Sequence, residues 1–164
     1  MYLNLQQIIS AQTRIGKLIK ETPLGYSPFY NKVTNSQVYL KLENLQLTGS
    51  FKIRGALNRL FNLNEEEIAN GVVAASAGNH AQGVAFAAAL EKIPCTIVMP
   101  LTASPAKVAA TKRYGAKVIL EGANYDESWA KAQEISKKTN ATIIHAFDDP
   151  HVIAAQGVIG LEIL

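Results

Sequence analysis

Residues 71–99 read Gly71-Val-Val-Ala-Ala-Ser-Ala-Gly-Asn-His-Ala-Gln-Gly-Val-Ala-Phe-Ala-Ala-Ala-Leu-Glu-Lys-Ile-Pro-Cys-Thr-Ile-Val-Met99. Val72 to Ala75 is a short apolar run, the pattern of a strand buried on both faces. A helix of small residues follows from Asn79 to Leu90. Cys95 to Met99 is a second apolar run, ended by Pro100. Two such strands joined by a helix, with no hairpin turn between them, must lie parallel.

The same alternation continues downstream. Ser104 is the expected cap of a helix with Pro105 in its first turn, and Gly115 closes it. Lys117 to Leu120 is a strand. Asn124, with Glu127 three residues on, forms a capping-box pattern. Thr142 to Ala146 is a fourth strand, and Asp149-Pro150 starts a last helix. The fold class is therefore α/β: a small open parallel sheet of about four strands with crossover helices, over residues 52–155. Upstream, Leu5, Ile8, Ile9, Ile15 and Leu18 mark a helical stripe over residues 4–20, broken at Thr22-Pro-Leu-Gly25. Val38 to Leu42 is a strand. With Ser50 as its cap, a helix is expected from Phe51 to about Leu63. Residues 1–51 stand outside the alternation and are expected to belong to a second, larger α/β domain, with 156–164 returning to it. The apolar run Val158–Leu164 carries no cap or polar tail, so the chain is expected to be part of something longer.

Composition narrows the function classes. The 164 residues are 48% hydrophobic and 18% charged, a globular balance. A net charge of +3 with scattered basic residues gives no nucleic-acid footprint. No stretch is apolar and long enough for a membrane span, and the start has no signal-peptide pattern, which implies a cytoplasmic protein. The single cysteine, Cys95, sits in an apolar run and reads as a core thiol. His145 and His151 have no metal-ligand spacing, so no metal site is expected.

Two segments carry chemistry. The first is Thr48-Gly-Ser-Phe-Lys-Ile-Arg-Gly-Ala56, where small residues and a flat ring surround Lys52. An amine held against backbone and partly desolvated sheds its proton readily and suits covalent capture of a carbonyl group. The second is Ser76-Ala-Gly-Asn-His-Ala-Gln-Gly83, at the carboxyl end of a strand and the start of a helix. Gly78 admits close backbone approach, and the free N–H groups of the helix start favour a carboxylate or phosphate. Taken alone, this loop also describes an ordinary strand-to-helix turn, and His80 alone also describes a packing histidine.

Together, Glu43-Asn-Leu-Gln-Leu-Thr-Gly-Ser-Phe-Lys-Ile-Arg-Gly-Ala56 and Ser76–Gly83 resemble the signatures of serine/threonine dehydratases. These are pyridoxal-phosphate enzymes of fold type II, the tryptophan synthase β-like group. Thr22-Pro-Leu24, Lys107-Val-Ala-Ala-Thr111 and Asp148–Gly157 follow in the family's order, and the threonine dehydratase branch of short catabolic type is most similar. The resemblance implies pyridoxal 5'-phosphate as cofactor and Lys52 as its covalent anchor and as the base that takes the substrate α-proton. It implies that Phe51 packs near the cofactor ring, that Asn79 bonds the ring hydroxyl, and that Ser76, Ala77, Gly78, Asn79 and His80 hold the substrate carboxylate. The substrates implied are L-threonine and L-serine, deaminated to 2-oxobutanoate or pyruvate. Racemases of the group carry a serine where Ala77 stands, and a methyl group moves no proton. The family's glycine-rich phosphate loop has no counterpart, since no two of the eleven glycines are adjacent. The chain alone is thus expected to be inactive, and to be a homo-oligomer or the partner of a missing C-terminal half. A truncated non-catalytic relative that docks on a full-length dehydratase is the competing reading, as is a serine dehydratase or racemase on the same scaffold.

Overall fold

The computed structural model describes residues 3–164. Its elements run α1 (Leu5–Ile15), β1 (Leu24–Tyr26), α2 (Pro28–Thr34), β2 (Tyr39–Lys41), a 3-10 turn (Glu43–Leu45), α3 (Lys52–Leu60), α4 (Glu65–Asn70), β3 (Val72–Ala75), α5 (Asn79–Glu91), β4 (Cys95–Met99), α6 (Pro105–Arg113), β5 (Lys117–Leu120), α7 (Tyr125–Thr139), β6 (Thr142–Ile143) and α8 (Pro150–Ile163). The last four strands form one parallel sheet in the order β5-β4-β3-β6. β3 is central and wholly buried, which is why it reads as a continuous apolar run. No helix among the described residues is long and apolar enough to cross a membrane.

Caps set most helix starts. Asn124 accepts from the Glu127 N–H at 3.0 Å, and Asp149 accepts from His151 and Val152. The expected box at Asn124 closes differently, because the Glu127 carboxylate reaches the Ala123 N–H, one residue short of the cap. Ser104 stands at its N-cap position without a side-chain cap bond. Two expectations need correction at α3. Its cap position is Phe51, which is already helical because Arg54 N–H donates to the Phe51 carbonyl at 3.0 Å, so Ser50 lies one residue too early. The helix also ends at Leu60, and a separate short helix, α4, follows behind the Asn64–Glu67 capping box.

A second small sheet pairs β1 with β2 antiparallel, Leu24 opposite Lys41. Its junction with the helices is a buried charge cluster. The Arg54 guanidinium is fully buried on α3 and lies 2.8 Å from Glu43 and 2.6 Å from Glu162 of α8. Lys41 at the end of β2 bonds Glu162 at 2.6 Å and the Thr22 carbonyl at 2.6 Å. Burial opposes the Glu43 charge, but hydrogen bonds from Arg54 and Thr22 outweigh it and hold that carboxyl below its ordinary range.

Two glycines let α3 sit close to its neighbours. A Cβ at Gly55 would lie 2.7 Å from the Val152 side chain on α8. A Cβ at Gly83 would lie 3.2 Å from the Lys52 carbonyl carbon and from the Ile53 nitrogen, both rigid backbone. The α5 backbone is thus pressed against the start of α3 (Ile53, Ala56 and Leu57 in the shared core are wholly buried).

Arg54→Met leaves two buried carboxylates without their central cation, and should cost about 3–5 kcal/mol, read as a lowered urea midpoint. Gly83→Val should cost about 1–3 kcal/mol by overpacking, in the same measurement, although valine and glycine are both poor helix formers.

Candidate functional site

The chain enters α3 through a reversal at Thr48 and Gly49, with φ of 49° and 72°. A β-branched residue rarely takes a left-handed conformation. Buried Gln46 fixes the reversal: its side chain bonds both Lys20 backbone groups, and its carbonyl accepts from the Gly49 N–H at 2.9 Å. Ser50 and Phe51 then deliver Lys52 as the first residue of α3, with the Ser50 hydroxyl accepting from the Lys52 N–H at 3.4 Å.

The Lys52 side chain is half-buried. Its Nζ lies 5.2 Å from the centre of the Phe51 ring and donates to the Ala146 carbonyl at 2.7 Å. Burial disfavours the ammonium and lowers its pKa from the ordinary lysine value. No acidic side chain pairs with it among the described residues.

The 76–80 loop leaves the carboxyl end of β3. Ser76 N–H donates to Val98 O at 3.0 Å, and the Ser76 hydroxyl accepts from the Gly78 N–H at 3.2 Å. That bond occupies one of the amides expected to face an anion. α5 begins at Asn79 with no side-chain cap, so its first-turn N–H groups are left for a ligand or solvent. Asn79 is exposed and its side chain makes no hydrogen bond among the described residues. Ala77 is half-buried. Lys107 of α6, read in the sequence only as part of the Lys107–Thr111 motif, brings its Nζ to 3.4 Å from the position a Gly78 Cβ would occupy.

His80 points the other way, into the core. It is 3% exposed, and its Nε2 bonds the Ile144 carbonyl at 2.9 Å. Burial pushes its pKa down to about 4; the Ile144 bond opposes that, while the nearby Lys52 and His145 add to it. The ring is therefore neutral at ordinary pH. The structure brings His80 and Lys52 to one place, joined through residues 144–146, and sets Phe51 against Lys52. No hydrogen bond joins Ser76 or Asn79 to Lys52 or Phe51 among the described residues.

The fourth strand is shorter than the sequence suggests for this reason. β6 pairs with β3 only at Thr142 and Ile143, because the next carbonyls, Ile144 and Ala146, serve His80 and Lys52. No sequence signal marks a backbone acceptor such as the Ala146 carbonyl. A cavity of about 410 Å³ lies elsewhere, lined by Asn4, Arg14, Asn58 and His151, and by none of the candidate residues. Cys95 is a core thiol, its pKa raised to about 12 by burial.

The model of the family described as pyridoxal-phosphate dependent enzyme matches residues 15–164. The L-threonine ammonia-lyase of Thermotoga maritima is 54% identical over 162 residues, 99% of this chain and 40% of that protein. The T.th. threonine deaminase superposes with a TM-score of 0.88 at 40% identity, over 98% of this chain and 50% of that one. Maize serine racemase superposes with a TM-score of 0.94 at 35% identity, over 100% and 50%. The chain thus spans about half the length, or less, of the proteins it matches. An α/β chain that sets a half-buried lysine beside a flat ring and matches that family model over residues 15–164 belongs to the pyridoxal-phosphate dependent enzymes of fold type II.

Proposed function

We propose that this chain carries the lysine side of a threonine ammonia-lyase: elimination of water from L-threonine, and from L-serine, followed by hydrolysis to 2-oxobutanoate or pyruvate and ammonia. The carrying observation is the half-buried Lys52 amine, with no acidic partner among the described residues and with its pKa lowered by burial. The residues present fit the cofactor's ring and aldehyde. Lys52 is the amine that would hold the aldehyde, the Phe51 ring lies beside it, and the exposed Asn79 side-chain amide, without a hydrogen bond among the described residues, would meet the ring hydroxyl. The sequence has no run of adjacent glycines to hold the cofactor's phosphate.

When bound, the pyridine ring supplies a sink for the electrons of the Cα–H bond. Lys52 does the proton work: once free, its Nζ takes the α-proton, for which an amine that deprotonates easily is required. The first-turn N–H groups of α5 receive the substrate carboxylate. The β-hydroxyl leaves as water, and hydrolysis returns that water, so threonine yields one oxo acid and one ammonia.

A racemase is the second reading, favoured by the likeness to maize serine racemase. Racemisation needs an acid on the face opposite the base. By the resemblance, the racemases' acid stands at the position of Ala77, whose methyl group moves no proton, which argues for elimination. Selectivity between threonine and serine rests on one methyl group, worth about 1–3 kcal/mol in a pocket.

The test mixes the 164-residue chain with the C-terminal half of a relative and follows oxo-acid release from L-threonine. Activity should appear in the mixture and be absent from the chain alone. Lys52→Ala should lower it at least about 10²-fold. The rate should climb with pH as Lys52 loses its proton, with a midpoint below that of an ordinary lysine. Association of the halves without turnover would instead support the non-catalytic partner, and D-threonine or D-serine as product would support the racemase.

A further inference from the structure

The two ends of the Lys52–Ala146 hydrogen bond are both controlled by one face of α5. Gly83 rests against the Lys52 backbone, 3.2 Å from a would-be Cβ to the Lys52 carbonyl carbon. His80 stands three residues earlier, hence on the same helix face. Its ring holds the Ile144 carbonyl at 2.9 Å. Ile144 is also the last residue tied to the sheet, its N–H donating to Val73 O at 2.9 Å. From there the chain turns. His145 Nδ1 accepts from the Phe147 N–H at 3.3 Å and the Asp148 N–H at 2.7 Å, closing a loop around Ala146. The Ala146 carbonyl is left facing Lys52 Nζ at 2.7 Å.

The state of the His80 ring follows from its partner. A carbonyl accepts, so Nε2 carries the hydrogen and Nδ1 is a bare acceptor. That Nδ1 is buried and has no donor among the described residues. An unsatisfied buried acceptor is unfavourable, and an apolar side chain at this position would avoid it. The ring's other bond is what the histidine contributes in return. A neutral ring also sets no second positive charge beside the Lys52 amine; Lys52 and His145 are the titratable groups that face it.

We propose that His80 is a positioning residue for Lys52. By holding the Ile144 carbonyl it fixes the 144–148 turn, whose Ala146 carbonyl parks the lysine amine whenever that amine is not bonded to a carbonyl compound. This role deepens the reading of Lys52 as cofactor anchor and rests on it. The loop amides serve the substrate; the His80 side chain serves the lysine.

The test uses the purified chain without cofactor. Reductive methylation is followed over a range of pH, and Lys52 is read by peptide mass spectrometry against exposed lysines, such as Lys137, in the same digest. In the wild type the Lys52 midpoint should fall below that of Lys137. In His80→Leu the turn loosens and the amine regains water, so its midpoint should rise toward that of Lys137. His80→Gln, which keeps an N–H donor, should retain the wild-type midpoint. An unchanged midpoint in a folded His80→Leu overturns the proposal, as does a His80→Gln that behaves like His80→Leu. Nitrogen NMR of wild-type imidazoles tests it without any variant: a neutral ring with hydrogen on Nε2 at neutral pH is expected, and hydrogen on Nδ1 overturns it. The cofactor takes no part in either readout. A chain that shows the His80 effect but never attaches cofactor at Lys52 when mixed with the C-terminal half defeats the functional reading and leaves the positioning role standing.

Discussion

A guanidinium sealed from water cannot shed its charge, so Arg54 dictates what surrounds it. Its two carboxylates come from opposite ends of the chain, Glu43 eleven residues before it and Glu162 more than a hundred after. Both must reach α3, and each brings its own element: the 3-10 turn behind β2, and the last turns of α8. Lys41 closes the set, leaving two cations against two carboxylates and no net charge. Such a cluster is weak evidence for stability, because desolvation offsets most of the attraction. Its consequence is geometric. The register of α8 against α3 is fixed by where Glu162 can meet Arg54, and the register of β2 by where Lys41 can meet Glu162. Two residues before Arg54, on the same helix, stands Lys52.

The environment of α3 carries unpaired buried groups. Among the described residues, three buried side-chain atoms lack a hydrogen-bond partner: Thr48 Oγ1, His80 Nδ1 and Gln156 Nε2. Each belongs to a segment that borders α3. Thr48 enters it, His80 lies on α5, and Gln156 on α8 comes within 3.2 Å of a would-be Gly55 Cβ. Thr48 also holds a left-handed backbone, which costs on the order of 1–3 kcal/mol. Strain and unpaired groups persist only where the surroundings over-determine them, and the Gln46 bonds and the Arg54 cluster do so here. Left-handed residues also occur away from α3, at Asn35, Lys92 and Asn140, but the three unpaired atoms gather around this one helix.

The parts of this fold that were legible in sequence are those set by local pattern. Val72–Ala75, Cys95–Met99 and Lys117–Leu120 run as read: the central strand is wholly buried and so apolar throughout, while edge strand β5 is bounded by clear turns. Asn124 and Asp149 cap their helices because short polar side chains reach the first free N–H groups. α4 had a readable signal, Asn64 with Glu67 three residues on, just past the expected end of α3 near Leu63. β1 is three residues long and follows a proline, so periodicity had nothing to count. The shortening of β6 was not legible, because it depends on side chains 64 and 94 residues away competing for its carbonyls. At the site, Lys52 and the 76–80 loop announced themselves through glycine and small residues, which are costly unless something approaches closely. Gly83, inside a helix, carried the same signal.

Residues 144–148 tie these levels together. A parallel strand that continued past Ile143 would place its carbonyls in the ladder with β3, and Lys52 would face none of them. By leaving the sheet early, the chain frees two carbonyls at the carboxyl edge of the strands, where open α/β sheets hold their ligands. One carbonyl is taken by a ring that stays neutral and buried, the other by an amine that must be able to leave. The first bond lies deep in the core, so the second can break without the turn collapsing. On the proposed reading that asymmetry is the useful property: an amine that alternates between a cofactor and a resting acceptor needs the acceptor to hold its place while the amine is away.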